Sequence, residues 1–203
     1  QRIDERLAEL PQATVEDMQS LQYDVISTQA RELLKIFLPH MPEGPIKDQL
    51  AAWDYNYAPD SVEPTIFQRL YRNVLLEIFG EEPNERGGIG WRRMLYLCSR
   101  IGFSTTVIEC VDRLLHKEDS SWWEHRDKGQ MIRQAAEKLV GQQFEPWSVT
   151  NSFYFSNRFF EDRFVGRAFG IHTTELPMPG CHATPFQGHL LRSATRETTL
   201  APS

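Results

Sequence analysis

The apolar positions of this chain fall into helical stripes up to residue 143 and then lose their period. Between residues 14 and 38, Val15, Met18, Leu21, Val25, Ile26, Ala30, Leu33, Leu34 and Phe37 recur at three- and four-residue steps. That spacing stacks side chains on one face and predicts a single helix of roughly seven turns. Thr14 stands ahead of it as a cap, and Glu16 and Asp17 fall in the first turn, where carboxylates suit the unpaired N–H groups. Pro39, Pro42 and Pro45 predict its stop.

A second helix is predicted after AAWDYNYAPDS, with Asp60 or Ser61 as cap and Pro64 in the first turn. Its stripe is Ile66, Phe67, Leu70, Val74, Leu75 and Ile78, and Gly80 with EEPNERGG then reads as a turn. A third helix carries Met94, Leu95, Cys98 and Ile101 and ends at Gly102. Ser104 caps a fourth, with Val107, Ile108, Val111, Leu114 and Leu115 on one face. Met131, Ile132, Ala135, Ala136, Leu139 and Val140 make a fifth, closed by Gly141. From 144 to 203 aromatics, Gly and Pro dominate, and short strand-like runs alternate with turn signals. The expected fold class is therefore mainly α: a multi-helix body over 1–143, then an irregular, strand-containing segment over 144–203.

Composition narrows the function classes. Of the 203 residues 40% are apolar and 25% charged, which is ordinary globular material able to bury a core. The formal charge is −6 with scattered basic residues, so nucleic acid is not an expected partner. No apolar run approaches the roughly 18 residues of a membrane span. The chain opens QRIDERLAEL, inside an amphipathic pattern and without Met, which leads us to expect an internal fragment of a longer protein. Cys98, Cys110 and Cys181 are widely spaced and define no disulfide framework.

The densest candidate chemistry is PMPGCHATPFQGH, residues 177–189, which holds Cys181, His182, Thr184 and His189. In a strand, the adjacent Cys181 and His182 point to opposite faces, as do His182 and His189, seven residues apart. Pro179-Gly180 therefore reads as a tight turn into an edge strand, ahead of a metal site or a catalytic thiol. A second polar cluster, His116, Glu118, Asp119, Glu124 and His125, surrounds Trp122-Trp123. No P-C-x-x-C follows to complete a zinc-deaminase signature, so it reads as a solvated helix end with the Trp pair anchoring a loop. Gly87, Gly88 and Gly90 match neither a dinucleotide fingerprint nor a phosphate loop, and no G-x-S-x-G is present. Asp24, among the apolar positions of the first stripe, reads as a structural hydrogen-bonding carboxylate ahead of a catalytic one. Read from the residues, no catalytic, cofactor or metal site is assigned.

The order of landmarks adds a resemblance. TVEDMQSLQYDVISTQARELLKIFLP, AAWDYNYAPDSVEPTIFQRLY, Trp147 with the aromatic run behind it, PMPGCHATPFQG and Ala201-Pro202-Ser203 follow one another across nearly the whole chain. In this order they resemble landmarks in the β-subunit of the penicillin acylase (penicillin amidase) family. The resemblance implies a piece of an N-terminal nucleophile hydrolase of αββα architecture. Such an enzyme is an amidase acting on N-acyl bonds such as those of β-lactam antibiotics or acyl-homoserine lactones. It also implies an N-terminal serine as nucleophile, its α-amino group as base, and an asparagine with backbone N–H groups at the oxyanion. None of these parts is carried over here: residue 1 is Gln, and the oxyanion segment and the pocket arginine would precede Arg2. The family's partners would be the rest of the β-subunit and an α-subunit. Calcium is possible in the full-length protein, and the compartment would be periplasmic or extracellular. The expected role of this chain is scaffold, inactive alone. The alternative is a non-catalytic helical interaction module, and a thiol- or metal-dependent enzyme using Cys181 and His182 ranks last.

Overall fold

The computed structural model of the chain describes residues 1–79, 104–153, 163–170 and 176–187. The predicted third helix, with Met94, Leu95, Cys98 and Ile101, and the turn EEPNERGG lie outside these residues. The chain is mainly helical. In order run α1 (Arg2–Ala8), α2 (Val15–Gln22), α3 (Thr28–Phe37), α4 (Pro45–Ala52), α5 (Glu63–Phe79), α6 (Ser104–His116), α7 (Lys128–Glu137), α8 (Trp147–Thr150), β1 (Ser152–Phe153), α9 (Arg163–Ala168) and β2 (Leu176–Pro177).

The stripe of residues 14–38 is two helices, not one. Thr14 caps α2 as expected, in a reciprocal box with Asp17. The helix then stops, because Asp24 turns its side chain onto the Ile26 N–H at 2.9 Å and Ser27 caps a new helix through the Ala30 N–H. Val25 and Ile26 continue the apolar pattern without continuing the helix. They run extended beside residues 55–57 instead, with Ser27 N–H donating to the Tyr55 carbonyl and Tyr57 N–H to that of Val25, each at 3.0 Å. Pro45 also differs from expectation. It opens α4 as its first residue, where a missing N–H costs nothing.

At the centre lies α5. Ile66, Phe67, Leu70, Tyr71, Val74, Leu75, Leu76 and Ile78 are all buried, and the helix is covered on nearly every side. Each large apolar side chain so covered contributes roughly 1.5–3 kcal/mol. Among the described helices the most extensive pairing is α5 with α7, whose Ile132, Ala135 and Ala136 are buried. The two alanines let the backbones approach, and Asn73 Nδ2 donates 3.1 Å to the Ala135 carbonyl. Leu139 is buried as the stripe predicts, whereas Val140 is exposed beyond the helix end, where Gly141 takes φ +79°. Ala30, Leu33, Leu34 and Phe37 of α3 and Val111 and Leu115 of α6 complete the same core. Asp112 ties three helices together, accepting 2.7 Å bonds from Tyr71 of α5 and Gln29 of α3.

Among the described residues after 144, the regular elements are short. WSVT is the short helix α8, joined to the body by Trp147 N–H to Ser61 carbonyl and Ser148 N–H to Pro59 carbonyl, both 2.8 Å. The β1–β2 ribbon pairs Ser152 with Pro177 and Phe153 with Leu176, antiparallel. Residues 182–186 after Gly180 form turns, not the expected edge strand.

Candidate functional site

The stretch singled out for its chemistry sits where four segments distant in sequence meet. Gly180 takes φ +77°, a left-handed conformation that suits glycine, and a Cβ there would lie 2.0 Å from the Phe186 carbonyl oxygen. Its N–H donates to the Tyr57 carbonyl at 2.9 Å. Its carbonyl accepts from Trp147 Nε1 at 2.9 Å and from Asn151 Nδ2 at 3.2 Å. Asn151 also donates to the Met178 carbonyl, and Met178 N–H returns a 3.0 Å bond to the Asn151 carbonyl. On the far side of the turn, Phe186 N–H donates to the Asp24 carbonyl at 2.9 Å, and the Phe186 ring lies against Tyr23.

Thr184 closes the turn from within. Its Oγ1 accepts from Cys181 N–H at 2.8 Å and lies within donating reach of the Cys181 and Phe186 carbonyls. Cys181 is buried, its Sγ receiving the Ala183 N–H at 3.4 Å. Burial pushes its thiol up to about 12, outweighing the Ala183 N–H and the Tyr57 hydroxyl, which favour the thiolate. Tyr57 is likewise pushed well above the usual phenol range, first by burial and then by the neighbouring sulfur. Its Oη accepts from Gln68 Nε2 at 2.7 Å and its ring meets Trp147 edge-on. A thiol held protonated and sealed from solvent is a poor nucleophile and a poor metal ligand. His182 is half-buried beside it, and His189 lies outside the described residues.

The other candidates are spread apart. Asp24 has a side chain only 8% exposed. Its Oδ2 accepts from Arg2 Nε at 3.0 Å and Nη2 at 2.7 Å, and its Oδ1 caps Ile26, so its lone pairs are occupied by structural donors. His116 Nδ1 lies 2.7 Å from the Asp112 carbonyl of its own helix, and Glu118 meets Lys128 at 3.3 Å on the surface. Trp123 serves as an anchor. It packs on the core and donates to the Lys117 carbonyl, while Trp122 is 45% exposed. Gly87, Gly88 and Gly90 lie outside the described residues. Two open clefts of about 340 and 610 Å³ flank the start of α7, lined by mixed charges including His40, Glu43, Glu77, Arg126 and Arg133. Among the described residues no group of three or more His, Cys, Asp or Glu stands together to hold a metal ion. No described helix is long and apolar enough to cross a membrane.

Sequence reasoning singled out Cys181 and Thr184 but passed over Tyr57, Gln68 and Asn151, which hold the turn. A partial signal was present: polar residues beside aromatic ones in WDYNY and WSVTN need partners once buried. What these residues build is a mainly helical domain with an interlocked aromatic and hydrogen-bonded knot.

A family model described as penicillin amidase matches residues 1–203, so the chain belongs to the penicillin amidase family. Curated proteins yield no significant match to it. Four of the landmarks that carry the resemblance meet physically: Asp24 from the first, Tyr57 from the second, Trp147, and the Gly180–Thr184 turn are bonded to one another directly or through a single neighbour.

Proposed function

We propose that this chain is the helical scaffold of an N-terminal nucleophile amidohydrolase that cleaves N-acyl amides, β-lactam antibiotics or acyl-homoserine lactones among them. The observation that carries the reading is the family match across residues 1–203. The sealed Cys181 thiol supports the scaffold role, because the most suspicious side chain of the chain is committed to its own turn.

In such an enzyme a hydroxyl at a processed N-terminus attacks the amide carbonyl while the adjacent α-amino group takes its proton. Fixed N–H donors then hold the oxyanion. No residue of this chain is assigned to those steps. Its contribution is rigidity: the Gly180 knot and the α5 core hold the surfaces on which the rest of the β-subunit and an α-subunit are seated. The described residues hold no group of three or more His, Cys, Asp or Glu that could bind a calcium ion. A periplasmic or extracellular site of action belongs to the same proposal.

The test is hydrolysis of a chromogenic phenylacetyl amide. The 203-residue chain alone is expected to give no turnover. The product of the longer gene, with a Ser, Thr or Cys at a processed N-terminus, is expected to hydrolyse a substrate of this class. Turnover by the chain alone overturns the scaffold assignment, and inactivity of the processed longer product against a panel of N-acyl amides returns the chain to a non-catalytic interaction module.

A further inference from the structure

Helix α1 is docked the wrong way round for a surface helix. Arg2, Glu5 and Arg6 lie on its inner face and are half-buried, while Ile3 and Leu7 are 48% and 43% exposed, and none of its side chains is fully buried. Amphipathic helices ordinarily turn the apolar stripe inward. In α1 the face turned towards the body is charged instead. Something other than apolar burial must hold it.

The inner face supplies that something. Arg2 places Nε and Nη2 on Asp24 Oδ2 at 3.0 and 2.7 Å, and Arg6 Nε stands 3.6 Å from the same oxygen. Glu5 takes a bidentate pair from Arg31 of α3, with Nη1 3.2 Å from Oε2 and Nη2 on Oε1. Arg31 is braced in turn by Glu32, and Glu32 by Lys35 at 2.7 Å. Arg2 meets both Asp24 and Glu5, and Glu5 meets Arg31, so charges of alternating sign run from Asp24 through α1 to α3, and Asp24 is the most enclosed member.

We infer that α1 is an electrostatic clasp, fastened to the body through Arg2–Asp24 and Glu5–Arg31 and released as a unit when those pairs are screened or neutralised. The Asp24 carboxylate is the anchor of the clasp. Release frees residues 2–10 together, while the α5 core stays folded.

Hydrogen–deuterium exchange of the full 203-residue chain at constant pH tests this. Amides of residues 2–10 are expected to exchange roughly three- to tenfold faster in about 1 M than in about 20 mM NaCl, while those of α5 hold their protection. Glu5→Gln and Asp24→Asn are expected to produce the same acceleration at low salt. Ile3→Ser and Leu7→Ser are expected to leave exchange unchanged. Should Asp24→Asn loosen the whole fold, Glu5→Gln reads the same clasp through its other pair, with Arg31. The inference is overturned if α1 exchange is indifferent to salt and to Glu5→Gln, or if the serine variants release α1 and the charge variant does not.

Discussion

The indole Nε1 of Trp147 lies 2.9 Å from the carbonyl oxygen of Gly180, 33 residues away, and that bond helps seat the Gly180 turn on the helical body. Asn151 shares the acceptor, and the Tyr57 carbonyl receives the Gly180 N–H, so both backbone groups of the glycine are used inside the protein. The turn is fixed by its neighbours more than by its own sequence.

Gly180→Ala should be among the most damaging small substitutions. The new Cβ would sit 2.0 Å from the Phe186 backbone oxygen at φ +77°, an atom that cannot yield by a side-chain rotation. A loss of at least about 2 kcal/mol is expected from strain and displaced backbone hydrogen bonds. Gly141→Ala, at φ +79° with open space around it, carries only the backbone penalty, of about 1 kcal/mol. Urea unfolding midpoints of the two variants measure the contrast.

Thr184→Val keeps the shape of the side chain and removes its hydroxyl. The buried Cys181 N–H then loses the acceptor at 2.8 Å, at a cost of about 1–3 kcal/mol. Thr184→Ser should recover most of this, because the acceptor and donor remain. If Val and Ser variants unfold at the same denaturant concentration, the hydroxyl is not holding the turn.

The thiol of Cys181 gives a pH dependence with a definite sign. Its folded value, about 12, lies above that of an exposed thiol, so the folded state keeps a proton that the unfolded state gives up. Its contribution is complete below the unfolded value, near 8.5, and is lost as pH rises towards 12. Tyr57 and Tyr71, raised by burial and by neighbouring Cys181 and Asp112 respectively, extend the loss above pH 10. Stability should therefore fall steadily on the alkaline side, with Cys181→Ala flattening the first part of the slope. In native protein at pH 8, iodoacetamide should label exposed Cys110 well before Cys181, as peptide mapping would show.

Leu70→Ala on α5 should cost about 2–5 kcal/mol, since the side chain is fully buried in a helix enclosed by α4, α7 and α8. Val140→Ala, on the same sequence stripe as Leu139 but exposed, should change stability by less than about 0.5 kcal/mol. Thermal melts of the pair separate true core positions from positions that only share the period.

The α5 stripe was legible because helix periodicity is local: all six of its predicted apolar positions that define the face are buried. The same logic failed at residues 23–27. There Val25 and Ile26 continue the pattern, but Asp24 and Ser27 spend their side chains on backbone N–H groups and break the helix. Both are residue types known to compete with helix in this way, so the break was written in the chain but outweighed by the stripe. Helix α4 was missed because Pro45 reads equally as a stop or a start, and Gly44, at φ +147°, decides for a start.

The helical class, the capping of α2 and the apolar stripe of α5 were readable in the chain, because all follow from interactions within a few residues. The chain also carried the ordered landmarks of the penicillin amidase family. What the Cys181 stretch is emerges on folding, because the groups that hold it come from residues 24, 57, 147 and 151, and each of their bonds to it ends on a backbone atom that every sequence shares. A backbone carbonyl leaves no mark in the amino-acid code, so which one receives the Trp147 indole is known only once the chain has folded.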